Sequence, residues 1–430
     1  MRALIRWAGT ALVVGVTLLS GCGSGSSSSG NASVRLLNAT AGYKSLDLAL
    51  DTVATNKAVL PGAVGSYASA SSSGVSTVVT ATDSTAALST ATRTLNKDAH
   101  YTLIAYGSSG ALKTALIQED VAAAAANVTS LQVANLAPDA GAVDVYLTGS
   151  TDTLDSATAM ASNVNVGVSG FYTSVTSGTY RLRVTGAGLK SDLRLDVQGL
   201  VLSSTQVATL VLAEGAGGVL VNGVLVVQQG AASGATLANN QARLRVISAV
   251  TNGSTVTASV GNTPVATGVT SPNIGGYIQV PASSGAPVVV SVNNVQVPVA
   301  NQLLLNAGDY TMLVWGSAAA PQVTLLADDN RFPTVSGNAN IRMINATSGA
   351  STSLTLKVDF SVVAQSVGQG QASSYTNVPA STTSRLDVTS ATGTPPPYSA
   401  TPVPFAAKGL YTMYILGDSG APLQDFRKER

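Results

Sequence analysis

The chain is poor in the residue types that usually carry chemistry. It has one histidine, His100, and one cysteine, Cys22, among 430 residues. A serine triad would have to recruit His100, and no Gly-x-Ser-x-Gly elbow surrounds a candidate serine. A single thiol allows no internal disulfide and no Cys/His zinc site. Charged residues make up only 10% of the chain, with 22 basic against 21 acidic. Such a balance gives no electrostatic ground for nucleic acid or anionic lipid as a partner. Glutamate occurs three times, at Glu119, Glu214 and Glu429. Apart from alanine, good helix formers are scarce, and no apolar run of membrane-spanning length follows Cys22.

What is present begins at the N-terminus. Arg2 and Arg6 precede an apolar stretch from Trp7 to Leu19, which closes on Ser20-Gly21-Cys22. This is the layout of a bacterial secretory signal over residues 1–21. The ending Leu19-Ser20-Gly21-Cys22 resembles a lipobox, which makes Cys22 the expected lipidation site. Residues 22–31 then form a Gly/Ser linker with an r.m.s. reach of about 17 Å, enough to lift a folded unit off the headgroups. Gly23 stands where Asp would retain a lipoprotein in the inner membrane, so the expected location is the outer membrane, periplasmic or surface-facing.

Beyond the linker, Val, Thr and short alternating runs such as Tyr180-Arg181-Leu182-Arg183-Val184 predict an all-β chain. An opening strand recurs as Val34-Arg35-Leu36-Leu37-Asn38-Ala39, Leu131-Gln132-Val133-Ala134-Asn135-Leu136, Leu244-Arg245-Val246-Ile247-Ser248-Ala249 and Ile341-Arg342-Met343-Ile344-Asn345-Ala346. A tyrosine follows 29, 37, 29 and 30 residues after the Asn or Ser, at Tyr67, Tyr172, Tyr277 and Tyr375. A late strand starts at Tyr101, Tyr310 and Tyr411, and the second copy has Val207-Ala208-Thr209-Leu210 in its place. Three landmarks in fixed order predict four tandem immunoglobulin-like sandwiches, over 32–121, 127–230, 240–330 and 338–430. The joints between them are short. Set end to end at about 35 Å each, the four would form a stalk on the order of 140 Å long. Each should carry its own core, so 240–330 is expected to fold alone. Tyr310 should be buried in a central strand with its hydroxyl satisfied.

The second copy reads Asn135-Leu136-Ala137-Pro138-Asp139-Ala140-Gly141-Ala142-Val143-Asp144-Val145-Tyr146, then Ser177-Gly178-Thr179-Tyr180-Arg181-Leu182-Arg183-Val184. This resembles the bacterial family known as domain of unknown function 4397, strongest in the second copy and weaker in the first. The resemblance implies a β-sandwich in an exported or surface setting and no known reaction. That family often places a histidine in the opening strand, where this chain has Asn38, Asn135, Ser248 and Asn345.

Candidate chemistry is thin. His100 precedes the late strand where other copies have Asp309 and Leu410, which reads as a strand-edge position. The pairs Asp139/Asp144 and Asp192/Asp196 are the only material for glycoside hydrolysis. Glu119-Asp120 and Asp328-Asp329-Asn330 end copies where calcium can stiffen sandwich junctions, and the remaining joint offers Gln228-Gln229. The tyrosines read first as folding residues and second as a sugar- or peptide-binding stripe. Asn38-Ala39-Thr40 and Asn345-Ala346-Thr347 match a glycosylation sequon but lie within strands, and Arg427-Lys428-Glu429-Arg430 reads as a solvated tail. No catalytic, cofactor or metal residue is assigned. The expectation is a non-enzymatic envelope lipoprotein, a structural and binding stalk. It would be held to the membrane by its lipid, with polysaccharide or another envelope or surface protein as partner and no nucleic acid. The alternative is a hydrolase or accessory enzyme of envelope or extracellular polysaccharide.

Overall fold

The structure is a computed structural model that describes residues 30–430 except 231–233, 350–352 and 394–396. Cys22 and the leader lie outside the described residues. Every regular element described is a β-strand.

The first copy shows how the pattern folds. Strand Asn31–Ala41 lies between Ala68–Ser71 and His100–Ser108, with Lys113–Gln118 at the far edge. A second sheet orders Val53–Val59, Leu46–Leu50, Val75–Ala81 and Ala87–Arg93. Val34, Leu36 and Leu103 from the first sheet meet Leu46, Leu48 and Val79 from the second in one apolar cluster. Alternation dictates this, since side chains two apart share a face. The other copies build equivalent clusters of their own.

In every copy the opening strand and the late strand pair in parallel, in the same register. Arg35 lies beside Thr102, Gln132 beside Thr209, Arg245 beside Thr311 and Arg342 beside Thr412. An antiparallel strand then follows the late one, so the opening and late strands are central in their sheet.

Strand centrality alone does not account for the residues on the outer face of that sheet. Leu37, Ala39, Ile104 and Tyr106 of the first copy pack against Ala134, Leu136, Val211, Ala213, Val224 and Val226 of the second. Ile247, Ala249 and Leu313 of the third pack against Ile344, Ala346, Tyr414 and Leu416 of the fourth. The copies thus meet face to face in two pairs. This corrects the expected end-to-end stalk. The physical reason is that the central strands are apolar on both faces, and the outer face must also leave water.

The pairing changes what a single copy can do. Fragment 240–330 alone would expose Ile247, Ala249 and Leu313, all fully buried in the intact chain. Fragment 240–430 should therefore be more stable by at least about 3 kcal/mol, the burial of roughly two aliphatic side chains. Urea unfolding of both fragments checks this; equal midpoints would mean the shared face contributes nothing.

Candidate functional site at the faces between copies

The charged residues of the outer faces converge where copies pair. In the first pair, the Arg35 guanidinium is 1% exposed and donates to both carboxylate oxygens of Glu119 at 2.9 Å. Its Nε donates to the Thr102 hydroxyl at 2.8 Å, and that hydroxyl donates to Glu119 at 2.8 Å. The guanidinium lies 4.5 Å over the Tyr67 ring, whose hydroxyl also donates to Glu119. It reaches into the second copy as well, donating to the carbonyls of Val227 and Gly230 at 3.0 and 2.9 Å.

The same four positions recur. Arg245, Tyr277, Thr311 and Asp328 occupy them in the third copy, and Arg342, Tyr375, Thr412 and Glu429 in the fourth. Here the arginines cross over. Arg342 of the fourth copy pairs with Asp328 of the third at 2.8 Å, and Arg245 of the third pairs with Glu429 of the fourth at 2.9 Å. Tyr277 and Thr311 each donate to Asp328 at 2.6 Å, and Tyr414 donates to Glu429. This reciprocity is that of a pseudo-two-fold contact, in which the same patch serves both partners. In the second copy the set is Gln132, Tyr172, Thr209 and Gln228. Base and acid are both replaced by neutral amides, so no buried charge is left unpaired.

Burial alone would raise the Asp328 carboxyl, but Arg342 and Arg245 outweigh it and hold it below the ordinary carboxylate range. Burial, then the Asp328 charge, pushes the Tyr277 hydroxyl far above its usual value. A carboxylate so held is a poor base, and these groups act as fasteners.

A second cluster joins the two pairs. Gly217 donates to the Ala307 carbonyl at 2.9 Å, and a Cβ on Gly217 would come within 2.4 Å of Asp309. That approach brings Arg331 to 3.7 Å from Glu214, and the Phe332 amide donates to Asp139 at 2.7 Å. Arg430 donates to the carbonyls of Asn330 and Asp139 at 2.7 and 2.5 Å and stacks on Phe332 at 4.1 Å. Burial pushes the Glu214 carboxyl up to about 8, helped by neighbouring Asp139, which burial also raises. Glu214 therefore holds a proton at neutral pH in the folded chain and loses it when unfolded. Its contribution to stability should be complete below the ordinary glutamate range and be lost as pH rises to about 8. A melting temperature a few degrees lower at pH 9 than at pH 6, with the difference reduced in Glu214→Gln, is expected; a flat profile would refute it.

Of the other residues singled out from the sequence, His100, Asp120 and Gln229 come together beside Tyr67 and Glu119, and the rest lie apart. His100 contacts Asp120 at 3.1 Å and Gln229 of the second copy at 3.3 Å. Asp144 accepts from the amides of Asn163 and Gly188, which ties down loops of its own copy. Asp192 and Asp196 are paired with Arg194 and Arg181, both at 2.5 Å. Of the acids at the joints, Glu119 and Asp328 are engaged by Arg35 and Arg342, and Asp329 by Arg331 at 2.7 Å. The sequon asparagines Asn38 and Asn345 are fully buried and donate to the carbonyls of Val59 and Val367. Arg430 and Glu429, read as a solvated tail, are both bound to other copies. The arginines of the opening strand were the missed residues. Their signal was a charge at one fixed place in an apolar strand, in three copies of four.

Repeated two-sheet units fastened in pairs through an Arg–Tyr–Thr–acid set define an architectural class of β protein. The family model described as Domain of unknown function (DUF4397) matches residues 32–146 and 242–352, more than half the chain. The chain belongs to that family. The matched regions take in the first and third copies and the start of the second and of the fourth. No curated protein matches the chain.

Proposed function

We propose that this is a non-enzymatic, lipid-anchored protein of the bacterial cell envelope, in which four immunoglobulin-like sandwich domains form a structural and binding platform. Residues 1–21 are the signal peptide, Cys22 carries the lipid, and the Gly/Ser linker to residue 31 sets the domains off the outer membrane. The partner is a polysaccharide or another envelope or surface protein.

The observation that supports the structural half is the use made of ionisable groups. Arg35, Glu119, Arg245, Asp328 and Arg342 are all less than 5% exposed, and across or beside the domain faces Arg35 binds Glu119, Arg342 binds Asp328 and Arg245 binds Glu429. Charges spent this way hold domains in register. The anchor rests on the lipobox-like run at Cys22 and the Gly/Ser segment after it.

Cys22→Ala tests the anchor. The variant should accumulate as unprocessed precursor or leave the membrane fraction, and the wild-type chain should sediment with outer membranes. A processed Cys22→Ala protein that still partitions into the detergent phase would overturn lipidation. Sedimentation with the inner membrane would overturn the location.

A further inference from the structure

We propose that the second copy carries a binding site for a neutral saccharide, in the cleft between residues 149–160 and the strands Val143–Thr148 and Gly178–Gly186. The proposal rests on the envelope reading above, names polysaccharide as the partner, and does not depend on the anchor.

The cleft exists because this copy departs from the other three. In those, a two-residue turn joins the second strand to the third: Asp51-Thr52, Gly261-Asn262 and Asp359-Phe360. In the second copy residues 149–160 take the place of that turn, between Val143–Thr148 and Ala161–Val164. They lengthen the spacing from Asn135 to Tyr172 to 37 residues, against 29 or 30 elsewhere. The segment is pinned at several points. Lys190 donates to the carbonyls of Asp155 and Ala157 at 2.7 and 2.8 Å, and the Met160 amide donates to the Val145 carbonyl at 2.8 Å. Beside it Tyr146 and Arg183, on the outer face of the sheet, are buried, whereas the same face of the third copy leaves Thr257 and Val289 exposed. A connection tied down in this way presents a preformed site, which lowers the ordering cost of binding.

The cleft holds about 540 Å³ and is lined among others by Thr148, Asp152, Thr153, Ser156, Thr158 and Tyr180. That volume is in the range of small-molecule sites. No lysine or arginine lines it. One carboxylate oxygen of Asp152 accepts from the Gly149 amide at 2.9 Å; among the described residues the other has no partner, and Asp152 forms no ion pair. The hydroxyls of Thr153, Ser156 and Thr158 are likewise unengaged by the described residues. Tyr180 packs half-buried against the core, and its hydroxyl donates to the Thr176 carbonyl at 2.7 Å, which fixes the ring. Arg183 donates to the Thr148 hydroxyl at 2.6 Å and keeps a buried Nε without a partner, so an unmet donor adjoins the lining.

These groups set the chemistry of the occupant. Hydroxyls both donate and accept, a carboxylate accepts, and a tyrosine ring offers an apolar face. A sugar matches all three, since its hydroxyls do both and its ring C–H groups are apolar. An acidic sugar or a phosphate would meet the Asp152 charge with no cation in the lining to offset it. An apolar peptide would cover the hydroxyls and leave them unpaired.

The test probes the full chain in detergent on an array of neutral, acidic and amino-substituted glycans, then titrates the strongest neutral oligosaccharide by calorimetry. Saturable binding to neutral glycans is expected, with a Kd below about 1 mM. Asp152→Ala should weaken it at least about tenfold, the loss of a hydrogen bond to a charged group. Ser156→Trp, at an exposed position of the lining, should block it with the melting temperature of the protein unchanged. Absence of binding to any neutral glycan, or binding that survives both changes, would overturn the site. A preference for acidic or amino-substituted glycans would overturn the ligand class. Each of these failures is distinct from failure of the anchored-platform reading, which Cys22-dependent fractionation measures separately.

Discussion

Replacing Asp328 by alanine is expected to destabilise the 240–430 pair by about 3–5 kcal/mol, as removal of one partner from a buried ion pair does. Asp328 is 4% exposed and receives Arg342, Thr311 and Tyr277. Without it, Arg342 is a buried cation from another copy with no anion beside it, and two hydroxyls lose their acceptor. Because Arg342 belongs to the fourth copy, the loss should be felt as uncoupling of the pair as well as lower stability. The double variant Asp328→Leu with Arg342→Met should recover part of the loss, since the unpaired cation goes too. Urea unfolding followed by circular dichroism measures both. A single-variant loss below about 1 kcal/mol, the range of exposed ion pairs, would mean the cluster is solvated and the pairing rests on apolar contacts alone.

Tyr310→Ala should be comparably costly, about 3–5 kcal/mol, but for a different reason. Tyr310 is 6% exposed within the core of the third copy, and its hydroxyl accepts from the Leu305 amide at 2.7 Å. Truncation leaves a cavity and an orphaned amide. Tyr310→Phe keeps the packing and should cost about 1 kcal/mol for one hydrogen bond. The device repeats in the first and fourth copies. Tyr101 accepts from Asn96 at 2.9 Å and Tyr411 from Ala406 at 2.8 Å, each from an amide five residues upstream. The same unfolding experiment decides: a ligand-binding tyrosine would show little loss for the alanine change, and a loss under about 1 kcal/mol would reject the structural role.

These two tyrosine sets show how far the sequence could be read. The late-strand tyrosines were legible because their environment is local. Alternation puts Tyr310, Met312 and Val314 on one face, and the hydroxyl partner lies five residues away. The mid-copy tyrosines were only half legible. Their spacing marked them as recurrent, but Tyr277 finds its role 51 residues on, at Asp328, and that carboxylate is fixed by an arginine from the next copy. Glu119 and Asp328 at the joints read as calcium ligands or solvated charge for the same reason: Arg35 lies 84 residues before Glu119, and the arginine that binds Asp328 belongs to the next copy. Glu214 gave no signal, and Asp139 read only as half of the Asp139/Asp144 pair; what buries them is a loop with Gly215, Gly217 and Gly218 closing onto the third copy.

The sequence by itself determined the strand content, the four copies and the residues facing each inner core, because period-two alternation and turn chemistry act over a few residues. It also marked the central strands as apolar on both sides. Which surface covers the second side was decided only by tertiary structure. An apolar face specifies that it must be buried and not by what, so partner choice fell to contacts such as Arg245 with Glu429, 184 residues apart, and Arg430 with Asp139, 291 apart. The neutral Gln132 and Gln228 of the second copy belong to the same decision. They make sense only opposite the completed Arg35–Glu119 pair, where a further buried charge would have no partner.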